Sequence, residues 1–216
     1  MKPQKTKNYF SIFFIAIFLF ASCSKEDTAI LPEGIESEID FEYYKIDLSK
    51  SYTDLSKDDR FKNLTPEQIL TILEYYSPGT TSTSKQNCDN CVAHVMSIDN
   101  RLMPYDSGCN VHYKWTNTTC LKGKMKLINT CTPVVGSAVI MDTGISAGHV
   151  GYVEKIARVH DGYSIKVSNG NWNNQGCKTL WFDTGDFRIK GYQDPNRSIN
   201  CSNAPFANCN SPYSSC

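Results

Sequence analysis

Ten cysteines in 216 residues constrain this chain more than any other feature. Such usage goes with an oxidising compartment, where cystines persist, or with thiolate ligation of a metal. Basic and acidic residues balance, 22 Lys+Arg against 22 Asp+Glu, so there is no basic surplus with which to hold nucleic acid. At 40% hydrophobic and 20% charged, the composition is that of a folded globular protein. The length is enough to bury a core without staples.

The first residues settle the expected compartment. Lys2, Lys5 and Lys7 precede an uncharged apolar run from Tyr9 to Phe20, too short to span a bilayer comfortably, and small residues follow. Residues 1–22 therefore read as a secretory signal peptide, to be set aside in reasoning about the fold. Leu19-Phe-Ala-Ser-Cys23 resembles a bacterial lipobox, with Phe20 where such boxes carry leucine. An ordinary leader cleaved near Cys23 is the alternative. The lipobox resemblance implies that Cys23 is acylated and that several chains together hold the protein to a membrane. Ser24-Lys-Glu-Asp27 resembles the signal that places some Gram-negative lipoproteins on the outer surface. The expected location is extracytoplasmic, anchored by lipid to the bacterial outer membrane. Without the three leader lysines, 19 basic residues face 22 acidic ones, a net charge of −3.

Along the mature chain, residues 23–62 read as a polar, acidic tether that becomes ordered towards its end. Residues 63–86 read as a helix and linker. Thr65-Pro66-Glu67-Gln68 is a capping box with proline at the first helical position, and Ile69, Leu70, Ile72, Leu73 and Tyr76 form an apolar face. Pro78-Gly79 stops that helix. A second helix is expected from Cys91 to Leu102, capped by Asn90, with Cys91, Val95, Ile98 and Leu102 on one stripe. Residues 105–131 read as irregular. After Pro133 the pattern turns to period two. Strands are expected at 137–141, 149–157, 163–169, 179–182 and 187–192, with a hairpin turn at Asp161-Gly162. The order predicts an α+β fold, helices first and then an antiparallel meander. Residues 196–216 read as a cysteine-rich tail.

The helix start matters chemically. Helix N-terminal amides favour a thiolate, and a nearby imidazole accepts the thiol proton. Cys91 sits where such a helix begins. Of the four histidines, His149 opens a strand behind Gly148, and His94 lies one turn along the same helix. His112 falls in the irregular stretch, and His160 reads as a solvated residue before a turn.

Five blocks in order now carry a resemblance. They are Cys91-Val-Ala-His-Val95, Pro133-Val-Val-Gly-Ser-Ala-Val139, Gly148-His-Val-Gly-Tyr-Val153, Asn169-Gly-Asn-Trp172 and Ile189-Lys-Gly-Tyr-Gln-Asp-Pro195. Residues 87–195 resemble a CHAP domain, the cysteine, histidine-dependent amidohydrolase/peptidase family, with the NlpC/P60 peptidases as a second choice. The resemblance implies a papain-like core, with N-terminal helices packed on an antiparallel sheet. It implies a Cys91 nucleophile, a His149 base and a third polar group to orient the imidazole, with no cofactor. That third group is glutamate in the family and Asn169 here; Asn171 is the other candidate, and an amide oxygen can serve. His94 stands where the family has an aromatic residue. The implied reaction is hydrolysis of an amide in peptidoglycan, either at the N-acetylmuramoyl–L-alanine bond or in a stem or cross-bridge peptide. Peptidoglycan or its peptides would be the partner, with Trp172 near the groove.

With Cys23 and Cys91 assigned, eight cysteines remain for disulfides: Cys88, Cys109, Cys120, Cys131, Cys177, Cys201, Cys209 and Cys216. A local Cys120–Cys131 pair is one option. Two other readings compete. Cys91 could be a half-cystine in a non-catalytic binding module of papain-like shape. Alternatively Cys88-x2-Cys91 and Cys109-x2-His112 could hold a structural zinc.

Overall fold

The computed structural model describes residues 39–82, 87–102 and 120–197. The signal peptide, Cys23 and the first part of the tether lie outside the described residues. So do Cys109, His112, and the tail cysteines Cys201, Cys209 and Cys216.

Helix α1 spans Pro66–Tyr76 and starts as its sequence dictates. Gln68 N–H donates to Thr65 Oγ1 at 3.3 Å, and Thr65 N–H donates back to Gln68 Oε1 at 2.9 Å. Two otherwise orphaned donors are thereby satisfied. The helix buries Ile69, Ile72 and Leu73. Its end is tied to the sheet, because Ser77 O accepts from Trp181 Nε1 at 3.0 Å and from Lys166 Nζ at 2.9 Å. Helix α2 is shorter than its apolar stripe suggested. It runs Cys91–Ile98 and closes at Asp99, whose carboxylate turns to the Arg101 N–H and guanidinium. A single 3-10 turn, Asn100–Leu102, then carries Leu102 into the core. A third helix, α3, occupies Leu121–Met125 within the stretch read as irregular.

Among the described residues the sheet has seven strands: β1 Tyr52–Asp54, β2 Thr81–Ser82, β3 Ala138–Met141, β4 His149–Val159, β5 Gly162–Asn169, β6 Cys177–Asp183 and β7 Ile189–Gln193. Its order is β2-β6-β5-β4-β3-β7. All of those pairings are antiparallel. The exception is β1, which runs parallel to the second half of β4 with Tyr52 opposite Ile156. Strand β4 is long enough for β3 and β1 to share one of its edges. Residues 39–62, read as tether from sequence, thus supply a strand to the sheet and bury Ile39, Leu48, Leu55 and Phe61.

The hairpin between β4 and β5 turns at His160-Asp161, one residue before the expected place, with His160 at φ +50°. His160 is not simply solvated, since its Nε2 lies 2.6 Å from Phe61 O.

Alternation along β3 sends side chains to both faces. Ala138 and Ile140 join Val92, Val95, Leu102, Met125, Leu127 and Val150 in one cluster, with Cys91 and Leu121 packed against it. Val139 and Met141 join Val153, Ile165, Val167, Trp172, Phe182, Ile189 and Tyr192 in the other. Because both faces are covered, β3 is buried at every position.

Candidate active site

Asn90 caps α2, its Oδ1 accepting the Ala93 N–H at 2.9 Å. Cys91 is therefore the first helical residue, and helix geometry leaves its own N–H without an intrahelical acceptor. It is half-buried and carries a free thiol. The end of β5 meets this helix start at Gly170. A Cβ placed there would stand 2.4 Å from His94 Cβ and 2.9 Å from Asn90 O. Only the absence of a side chain lets the first turn of α2 lie on the residue that follows Asn169. Gly170→Ala is expected to cost about 1–3 kcal/mol through overpacking. Urea unfolding would measure that loss, and unchanged stability would contradict the close approach.

The register of β4 and β5 sets the second pair. Gly151 lies opposite Asn169, so His149, two residues back on the same face, is its diagonal neighbour. His149 Nε2 lies 3.1 Å from Asn169 Oδ1. The amide orientation follows from its other bonds, because Asn169 Nδ2 donates to Val167 O at 2.9 Å and to Lys178 O at 3.2 Å. Oδ1 is thus the acceptor, Nε2 of neutral His149 carries the proton, and Nδ1 presents the basic lone pair. Asn169 is fully buried, which rigidifies this arrangement. Asn171 has no part in it. It lies beyond the strand in a left-handed turn at φ +53°, and the bond to His149 is made by Asn169.

Trp172 stands edge-on to the His149 ring, with centroids 5.0 Å apart and planes at 83°, and Phe182 backs it at 5.4 Å. At 7% exposure Trp172 is a wall behind the imidazole, not an open stacking platform. Arg188, held by Asp186, lies over both rings.

Burial pushes the His149 imidazole down to about 4, aided by the charge of Lys124 and opposed by the Asn169 bond. The neutral form is therefore favoured in the folded protein, while an unfolded histidine titrates near 6.5. The folded pKa is the lower one. The stability it contributes is present in full above 6.5 and is lost as pH falls towards 4. The loss is on the order of 3 kcal/mol. Urea midpoints at pH 7.5 and 4.5 should differ by less in His149→Gln than in wild type; equal differences would contradict this burial.

His94 is a core residue in the aromatic's place. It is fully buried, with Nε2 2.9 Å from Ser168 Oγ and Nδ1 3.6 Å from Cys177 Sγ. Both ring nitrogens are thus engaged, Nε2 with the Ser168 hydroxyl and Nδ1 with the Cys177 sulfur. His94 thereby ties α2 to β5 and β6, and burial holds its pKa down.

Cys88 is bonded to Cys177, joining the loop before α2 to the start of β6. That bond removes Cys88 as a thiolate ligand for zinc and as a redox partner of Cys91. Among the described residues no group of three or more His, Cys, Asp or Glu is placed to hold a metal. Cys131 is also in a disulfide. Cys120 corrects the expectation that it is a half-cystine, for it is a free, exposed thiol. It stands at the N-cap of α3 with its carbonyl accepting the Lys124 N–H. Cys131 lies beyond the far end of that helix, after the Thr130 bridge to Tyr192, and does not pair with it.

One buried residue near the site had no signal in the sequence. Lys124 is fully buried, and its Nζ donates to Ala147 O at 2.5 Å, two residues before His149. A lysine in a glycine-containing polar stretch reads as a surface residue.

The α+β domain sets a free thiol at a helix start and an imidazole held by an amide at the ends of two adjacent strands, the two groups that a thiol-dependent hydrolase needs. In comparison with known families, residues 79–171 match the family model of the CHAP domain. Such domains are generally cysteine- and histidine-dependent amidohydrolases or peptidases. The match suggests a peptidoglycan hydrolase, amidase or peptidase kind of function. Its span includes Cys91, His149, Asn169 and Asn171 and ends just before Trp172. No curated protein and no solved structure matches the chain.

Proposed function

We propose that this protein is an exported cysteine amidohydrolase or peptidase that cleaves an amide bond in peptidoglycan, with a papain-like arrangement of its core. Cys91 attacks the carbonyl carbon, passing its proton to Nδ1 of His149. Asn169 accepts Nε2–H and fixes the ring. The Cys91 backbone N–H, free at the helix start, helps stabilise the oxyanion. His149 then returns the proton to the leaving amine, and water releases the acyl group by the same route.

The observation that carries this reading is the state of Cys91. It is a free thiol at the first position of α2, while its neighbour Cys88 is committed to a disulfide. No observation favours the scaffold reading, which needs Cys91 oxidised. The leader at residues 1–22 and the lipobox cysteine Cys23 support export and anchoring by lipid at the bacterial outer membrane, facing the surface. No helix among the described residues is long and apolar enough to cross a membrane.

Purified residues 24–216 should release free amines or stem peptides from isolated cell walls. Mass spectrometry of the products distinguishes a lactyl–alanine cut from a peptide cut. Inactivity on walls from several species would end this reading.

A further inference from the structure

Helix α3 is seated on the segment that delivers His149. Leu121 N–H donates to Ser146 O at 2.8 Å, and Lys124 Nζ donates to Ala147 O at 2.5 Å. Gly148, at φ +59°, leaves room for Leu121, whose Cδ1 would stand 2.7 Å from an added Cβ. Leu121 and Met125 of α3 share one packed cluster with Val92 and Cys91 of α2.

Lys124 of α3 is fully buried. Its ammonium has three N–H donors and, among the described residues, a single hydrogen-bond acceptor, the Ala147 carbonyl. Among the described residues no carboxylate acts on it. The charged or titratable groups around it are the thiols Cys91 of α2 and Cys120 at the cap of α3, with His149 of β4 and, behind that, His94 of α2. A buried ammonium without a counter-ion is costly. The groups here that can become anionic are the two thiols, and Cys91 exerts the larger pull on Lys124. Burial itself holds Lys124 below the ordinary lysine range.

We propose that Lys124 is a positioning residue for the reaction, a fixed buried cation that stabilises negative charge on the Cys91 sulfur while its bond to Ala147 holds the approach to His149. This rests on the assignment of Cys91 as nucleophile. When the Cys91 S–H bond breaks, the proton goes to His149 Nδ1 and the electron pair stays on sulfur. The imidazolium so formed is buried and repelled by Lys124, so the thiolate is the partner that the lysine favours. Lys124 touches no reacting atom; it acts through Cys91.

The test follows Cys91 alkylation by iodoacetamide in the full chain by peptide mapping, as a function of pH. Lys124→Met keeps the length of the side chain and removes the charge. It should move the midpoint of Cys91 alkylation up by about one pH unit, a roughly tenfold loss of rate at pH 7. Lys124→Arg, which keeps a cation, should stay closer to wild type. A folded Lys124→Met protein with an unmoved midpoint would overturn the proposal, as would equal shifts in the two variants.

Wild-type protein supplies a second reading should the variants not fold. In protein whose exposed Cys120 has first been capped, the Lys124 side-chain NMR signal should titrate at lower pH once Cys91 is capped by iodoacetamide as well, and an unmoved titration would likewise overturn the proposal. Neither readout uses the cell wall. Loss of wall hydrolysis with the alkylation shift intact would therefore strike the assigned substrate and leave the lysine's role standing.

Discussion

Cys91→Ala should abolish hydrolysis of cell-wall amides, with a loss on the order of 10⁴-fold or more, as expected when a covalent nucleophile is removed. The fold should survive. Cys91 is half-buried, and alanine is a good residue for the first turn of a helix. Asn90, which caps α2, and the close approach at Gly170 are both untouched by the change. Far-ultraviolet circular dichroism and the urea midpoint should stay near wild type while product release stops. Residual hydrolysis within tenfold of wild type would mean that another group attacks the carbonyl.

The second large effect concerns stability. Cys88 and Cys177 are separated by 89 residues along the chain. Closing a loop of that length restricts the unfolded chain and stabilises the fold by about 4–5 kcal/mol in the chain-entropy account. The double variant Cys88→Ser/Cys177→Ser should lose stability of that order in urea unfolding. Activity should fall as well, because the bridge fixes the loop that leads into Asn90 and Cys91. A loss below about 1 kcal/mol would contradict a native bridge between these two cysteines. The variant also relaxes the sulfur against which His94 Nδ1 rests, so α2 should become less firmly held to β5 and β6.

Much of this arrangement was legible in the sequence, for identifiable reasons. The capping box at Thr65 and Gln68 and the Asn90 cap are local chemistry, and both helices begin where those residues say. Strands β3 to β7 are runs rich in apolar and β-branched residues, bounded by turn residues and long enough to be read. The pairing of Asn169 with His149 follows from register and could be expected once two adjacent strands were assumed. Asn169 and Asn171 could not be separated by that reasoning alone. What separates them is the left-handed turn at Asn171, a feature of backbone and not of composition.

Other elements gave no such signal. Strand β1 is three residues long in a polar segment, and its parallel pairing with β4 is a long-range contact that no local pattern encodes. Helix α3 is five residues with a glycine inside and no side-chain cap bond, below the length at which periodicity can be recognised. Lys124 went unnoticed for that reason, since its burial comes from tertiary packing alone. Cys120 was counted among the half-cystines by parity, an argument blind to which thiols meet in space. The hairpin turns at His160-Asp161, where His160 bonds to Phe61 O in the segment read as tether, a long-range contact that no local pattern encodes.

The central claim is that Cys91 is the group that attacks the substrate, and it is most directly tested by timed inactivation. Native protein is incubated with iodoacetamide, samples are withdrawn, and each is divided between peptide mapping of Cys91 and cell-wall hydrolysis. Carbamidomethylation of Cys91 and loss of hydrolysis should follow one time course, ending with a fully labelled, inactive protein whose Cys88–Cys177 peptide is still linked. A protein fully labelled at Cys91 that still cleaves the wall at its original rate would contradict the account.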